Sequence, residues 1–193
     1  YVKDISLCVV AEMMAWNLAE KHINSLMYGQ MNMMSGEPNG TTEFIPIMNY
    51  THESTKMTKI GITGTRDGMN ETQFELIHEY LDRDEKFEIH HGDCNGVDAE
   101  VACLAKELGH YIVSHPPTSS SLRAYTVYDE IREPLGYLER NRKIVESTDF
   151  LIVVPNVNEW QPRGGTWYTH DYAVKKNKIV DVLYRSGRQP VSV

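Results

Sequence analysis

Between residues 59 and 184 the chain alternates short apolar runs with stretches of helical spacing, and this alternation constrains the fold more than any other feature. Lys59 to Thr63 is a short run closed by Gly64, and Phe87 to His91 is a second, closed by Gly92. Tyr111 to Ser114 is a third, stopped by Pro116 and Pro117. Phe150 to Val154 is apolar throughout, the signature of a strand buried on both faces, and Ile179 to Leu183 is the last. Between them lie helical patterns. Glu71 to Leu81 places Phe74, Ile77, His78 and Leu81 on one face, and Val97 to Leu108 turns Val101, Leu104, Ala105 and Leu108 inward with Gly109 as a C-terminal stop. Gly136 to Ser147 and Thr166 to Lys176 complete the set, while residues 118–135 show no clear period. Strands alternating with helices at this length predict an α/β fold: a Rossmann-like parallel sheet with helices on both faces and right-handed crossovers. Ligands in such sheets bind at the carboxyl ends of the strands, which says where chemistry is to be sought.

The pattern does not extend to the first 56 residues. Tyr1 to Tyr28 has apolar residues at roughly helical spacing, and Gly29 to Tyr50 is rich in Met, Asn, Gly and Pro, with a turn signal at Ser35 to Gly40. Residues 1–56 therefore read as a helical arm and linker, and residues 57–193 as the main domain. A chain that begins with Tyr rather than Met reads as a fragment or a processed product.

Bulk properties bound the function. With 41% hydrophobic and 24% charged residues the chain can bury a core. A formal net charge of −8 argues against a protein whose task is to coat nucleic acid, because phosphate neutralisation supplies most of that affinity. A small phosphate ligand needs only one or two arginines and some backbone N–H groups. The three cysteines, Cys8, Cys94 and Cys103, form no CxxC pair, so a disulfide framework and a zinc ribbon are both unsupported and a reducing cytoplasm fits best. No apolar run is long enough to span a bilayer, and Ile5 to Val10 is too short and lacks the basic flank of a signal peptide.

Four segments fall at strand ends or on the helix leading to one. Gly64, Thr65 and Arg66 follow the first strand: a tight turn, a hydroxyl and a guanidinium able to grip phosphate in bidentate fashion. Gly92, Asp93, Gly96 and Asp98 follow the second, with Asp98 in the first helical turn, where a carboxylate is favoured by the dipole. His90, His91 and Cys94 nearby do not make a metal set, since neighbours on a strand point to opposite faces and no fourth ligand is spaced for it. Arg140, Asn141, Arg142 and Lys143 lie on the helix before the buried strand, where the spacing puts Arg140 and Lys143 on one face. Arg163, Gly164, Gly165 and Thr166 precede the next helix and offer bare N–H groups, a hydroxyl and the positive end of the dipole, the components of an anion site. This last segment is the most specific of the four.

Taken in order, Gly61-Ile62-Thr63-Gly64-Thr65-Arg66, His91-Gly92-Asp93-Cys94 with Gly96 and Asp98, His115-Pro116-Pro117, Leu138-Glu139-Arg140-Asn141-Arg142 with Ile144 and Val145, and Arg163-Gly164-Gly165-Thr166-Trp167 with Thr169 resemble the SLOG superfamily. The nearest branch is the YspA/YpsA-like one, related to the Lonely Guy phosphoribohydrolases and to DprA. The resemblance runs from about Lys59 to Tyr184 and leaves the arm outside. It implies a nucleotide-binding Rossmann-like domain, a ligand phosphate near Gly165 and Thr166, Arg140 in the place of the phosphoribohydrolase arginine, and assembly into homo-oligomers. The phosphoribohydrolase motif Pro-Gly-Gly-x-Gly-Thr-x-x-Glu carries a catalytic glutamate. Here Tyr168 or Thr169 stands in its place and Asp171 comes later.

The leading expectation is therefore a nucleotide or nucleotide-derivative binding protein that acts as a ligand sensor, with no metal and no separate cofactor. The alternative is an enzyme acting at the N-glycosidic bond, with Asp98, Asp171 and Arg140 as catalytic candidates beside Asp93, since an oxocarbenium-like transition state calls for a nearby carboxylate. A DprA-like single-strand DNA binder, using Trp160, Trp167, Tyr168 and Tyr172 for stacking, comes third and runs against the net charge.

Overall fold

The computed structural model describes residues 56–188, and the predicted arm at 1–56 lies almost wholly outside them. The elements in chain order are β1 (Thr58–Gly64), α1 (Glu71–Leu81), β2 (Phe87–His91), α2 (Val97–Glu107), β3 (Tyr111–Ser114), a 3₁₀ turn (Ser120–Leu122), β4 (Glu130–Ile131), α3 (Tyr137–Ser147), β5 (Phe150–Val154), α4 (Gly165–Lys175), β6 (Ile179–Tyr184) and β7 (Gly187–Arg188). They form one seven-stranded sheet in the order β4-β3-β2-β1-β5-β6-β7. All neighbouring strands are parallel except β7, which turns back antiparallel on β6. The predicted α/β fold is present, and its boundaries move by a residue or two. The two-residue strands β4 and β7 were not predicted, because neither has an apolar pattern.

The strand order grows outward from β1 through β2 and β3, then restarts on the other side with β5 and β6. Right-handed crossovers in opposite directions put α1 and α2 on one face and α3 and α4 on the other. Two glycines of β1 allow both layers to close on it. A Cβ on Gly64 would stand 2.5 Å from Val97 of α2, and one on Gly61 would stand 2.9 Å from the Thr148 hydroxyl, just after α3. Leu151, Ile152, Val153 and Val154 of β5 are fully buried. At about 1.5–3 kcal/mol for each such side chain, they form a substantial part of the driving force for folding. On the α3–α4 face, Ile144, Val145, Leu151, Val153 and Ala173 form one cluster, against which Tyr172, Val180 and Val182 pack.

Two polar devices hold the frame. Asn70 and Gln73 make a reciprocal capping box at the start of α1. Gln73 is fully buried, and its amide also donates to Pro155 O and Leu183 O, both at 2.8 Å, tying α1 to the ends of β5 and β6. At the other end of the α1–α2 layer, Gly109 closes α2 as predicted: its N–H returns to Lys106 O while that of His110 returns to Ala105 O. No helix among the described residues is long and apolar enough to cross a membrane.

Candidate anion-binding site

Growth of the sheet in two directions from β1 leaves a crevice between the carboxyl ends of β1 and β5. A cavity of about 450 Å³ opens there. Its floor is Thr63 to Arg66, its walls are α3 and the loop after β5, and its far end is the start of α4. Of the residues expected at the site, the structure brings Gly64, Thr65, Arg66, Asp98, Arg140, Asn141, Arg163, Gly164, Gly165 and Thr166 to this one cavity.

The start of α4 is built to leave donors free. Gly164 is its N-cap and supplies no side-chain hydrogen bond. The first intrahelical bond closes from Tyr168 N to Gly164 O, so the N–H groups of Gly165, Thr166 and Trp167 have no intrahelical partner. The turn is held in place from outside. Asn141 Nδ2 donates to Thr169 Oγ1 at 2.8 Å, Thr169 Oγ1 donates to Gly165 O at 2.8 Å, and Thr166 Oγ1 donates to Gly64 O at 2.9 Å. The Thr166 hydroxyl therefore positions the helix, and the backbone N–H groups and helix dipole face the cavity.

Arg140 is the side chain on which the site turns. It is 95% buried, yet its guanidinium is poorly satisfied: Nη2 donates to Cys94 Sγ at 3.4 Å, Nη1 lies 3.7 Å from Asp98 Oδ2, and Nε has no partner among the described residues. A buried cation in this state is costly and calls for an anion. Its place is reserved by Gly92, where an added Cβ would fall 1.1 Å from Arg140 Nη1. Tyr137 lies near two guanidinium groups, with Arg66 Cζ 5.8 Å and Arg140 Cζ 6.0 Å from its ring centroid, and its buried hydroxyl also has no partner among the described residues. Three arginines, Arg66, Arg140 and Arg163, thus line a cavity whose only carboxylates among the described residues are Asp67 and Asp98. An acidic chain has concentrated cations here.

Asp98 does not cap its helix. Its Oδ2 accepts from Gly92 N at 3.1 Å and Cys94 N at 3.2 Å, which folds the β2–α2 turn around it. Burial raises the Asp98 carboxyl above the usual range, outweighing Arg140 and the two N–H bonds that pull it down. Burial likewise raises the Cys94 thiol.

The remaining expected residues lie elsewhere. Gly92 stands behind Arg140, and Gly96, in the left-handed region at φ 86°, packs on the backbone of Thr65 and Arg66. Asp93 faces away from the cavity: it pairs with Arg123 at 2.5 Å and accepts from Thr126 N and Oγ1, pinning the segment after the 3₁₀ turn. Asp171 lines an adjoining groove with Tyr168, Tyr172 and Lys175, where it accepts from Trp160 Nε1 at 3.1 Å and bonds His170 Nδ1 at 2.8 Å. Lys143 does not share Arg140's environment. It is exposed beside Glu146, while Arg142 bonds the Tyr168 hydroxyl. Sequence reasoning missed Cys94, Tyr137, Asn156 and Gln161 as lining residues. Among the described residues no cluster of His, Cys, Asp or Glu is placed to hold a metal ion.

No family model and no curated protein matches the sequence. Solved structures do. A molybdenum cofactor binding protein from Rippkaea orientalis superposes with a TM-score of 0.51 at 21% identity, covering 67% of this chain and 78% of that one. A Moco carrier protein from Chlamydomonas reinhardtii superposes with a TM-score of 0.50 at 24% identity, over 70% and 79%. DNA processing protein A (DprA) from Streptococcus pneumoniae gives 0.51 at 18% identity, over 71% of this chain and 52% of its own. At these identities the likeness is one of architecture: the chain shares the Rossmann-like α/β fold of these proteins.

Proposed function

We propose that this domain binds a nucleotide or nucleotide-derived small molecule by its phosphate, seated on the N-terminus of α4 with Arg140 and Arg66 as counter-ions, and that it serves as a ligand sensor. One observation carries the reading: a buried arginine whose Nε has no partner among the described residues, in the same cavity as three backbone N–H groups that have no intrahelical partner. Charge-assisted and bidentate contacts of this kind favour phosphate over neutral ligands. In this reading residues 57–193 are the binding domain and the arm at 1–56 reports occupancy to a partner or to a second copy, in the cytoplasm. The solved proteins of like fold fit a small-molecule role, two of them being described as binding or carrying the molybdenum cofactor.

Cleavage at the glycosidic bond is the second reading. Asp98, a buried carboxyl in the same cavity, is the observation that favours it, and the place of Asp171 in the adjoining groove weighs against one of its other candidates. A thermal-shift screen of nucleoside monophosphates, ADP-ribose and dinucleotides, with chromatography of each hit, separates the two. Ligands that bind the folded state raise the melting temperature. Intact ligand after long incubation supports the sensor, free base supports the enzyme, and no shift with any phosphorylated ligand contradicts both.

A further inference from the structure

Asp98 stands in a position that a phosphate ligand would change. Its Oδ2 is held by two backbone N–H groups, while Oδ1 accepts no hydrogen bond among the described residues. Arg140, on α3, is the nearest cation, with Nη1 3.7 Å from Oδ2. The other charged and titratable groups about it are few. On its own turn, Asp93 is already paired with Arg123, and Cys94 is buried. At the end of β2, His91 is fully buried and held neutral, its Nδ1 accepting from Asp93 N. From the β1 loop, Arg66 is exposed and leans on Tyr137. The Asp98 charge therefore depends on Arg140, and Arg140 is the group that a ligand phosphate would engage.

We propose that Asp98 is a proton-linked specificity residue of this site: when a phosphate dianion engages Arg140, Asp98 takes one proton from solvent and, as a neutral carboxylic acid, donates a hydrogen bond from Oδ1 to an acceptor on the ligand. The step balances, since one proton leaves solvent, one O–H bond forms, and nothing is oxidised or reduced. A dianion brought against the guanidinium cancels the charge that kept the carboxylate ionised, and two like charges in one buried site are avoided by protonating one of them. The ligand class follows: a phosphate monoester carrying a hydrogen-bond acceptor close to the phosphate, as a ribose ring oxygen or hydroxyl does. The inference rests on the anion site proposed above.

Calorimetric titration of the protein with AMP at pH 7.5, in two buffers of different ionisation heat, reads the proton directly. At this pH the phosphate, with its second pKa at about 6, is already dianionic and contributes little. The expected result is uptake approaching one proton per AMP bound, with affinity falling as pH rises above neutrality, by up to tenfold per unit. Asp98→Asn is expected to bind AMP with no proton uptake and a flat pH profile. Binding without proton uptake in the unaltered protein overturns the role of Asp98 and leaves the anion site standing, and so does equal uptake in a folded Asp98→Asn variant. No binding of AMP or of inorganic phosphate at millimolar concentration overturns the anion site and this inference with it.

Discussion

At the scale of single residues, Arg140 and Gly92 are one device. The glycine leaves the room in which the guanidinium lies, so Gly92→Ala is expected to push Arg140 out of place. The variant should weaken binding of a phosphorylated nucleotide at least tenfold while the far-ultraviolet circular dichroism keeps its native form; undiminished affinity would show that Arg140 is not the anion partner. Asp98 and Arg140 were legible in the sequence because glycine-rich turns at strand ends and a basic helix before an apolar strand are local signals. Cys94 and Tyr137 were not. One enters the cavity only because Asp98 folds the β2–α2 turn, and the other only because α3 begins beside Arg66. Asp171, a catalytic candidate from the sequence, does not line the cavity. The helix instead turns Tyr168, Asp171, Tyr172 and Lys175, at i, i+3, i+4 and i+7, toward the adjoining groove, away from the face that carries Thr166.

At the scale of elements, the frame depends on contacts that no local pattern announces. Gln73 was visible as part of an amphipathic helix, but its bonds to Pro155 O and Leu183 O join residues 82 and 110 positions away. Gln73→Leu would fill the space and leave both buried carbonyls unpaired. The expected cost is about 3 kcal/mol, at about 1–3 kcal/mol for each orphaned group, measured as a lower urea midpoint with unchanged slope. A loss below about 0.5 kcal/mol would mean that water reaches those carbonyls. Asn141→Ala tests a different element. It removes the amide that holds Thr169 and so loosens the first turn of α4. Nucleotide affinity should fall severalfold, with a smaller effect on a ligand that lacks phosphate. The strands and helices themselves were legible, because apolar runs closed by glycine or proline and helices spaced at 3.6 are set by local chemistry. The strands β4 and β7 are set by their neighbours alone.

At the scale of the whole molecule, buried histidines tie stability to pH. His90 and His115 share a 2.9 Å contact between ring nitrogens, and His90 also meets Glu88, which in turn bonds Lys59. Burial lowers His90, takes His91 down to about 4, and takes His115 down to about 3. In the unfolded chain each titrates near 6.5. Below that pH the unfolded state binds protons that the folded state refuses, so stability is full above about pH 7 and falls as pH drops. Each histidine contributes a slope of about 1.4 kcal/mol per pH unit until its folded pKa is reached. Asp98 and Glu100, both raised by burial, work in the opposite direction, but they are two groups against these three histidines and His110, which burial also lowers. Urea unfolding from pH 7.5 to 5 should therefore show a steady loss, lessened in His115→Gln. A flat profile would mean that these rings are charged in the folded protein.

The central claim is that the start of α4 and Arg140 together hold a phosphate. The most direct test is calorimetric titration of the protein with AMP and with adenosine, repeated with Arg140→Ala. The account predicts that AMP binds and adenosine does not, that added salt weakens the AMP signal, and that Arg140→Ala loses about thirtyfold or more in affinity, as expected for a charge-assisted contact worth about 2 kcal/mol or more. Equal binding of AMP and adenosine, or full AMP affinity without the Arg140 guanidinium, would contradict it.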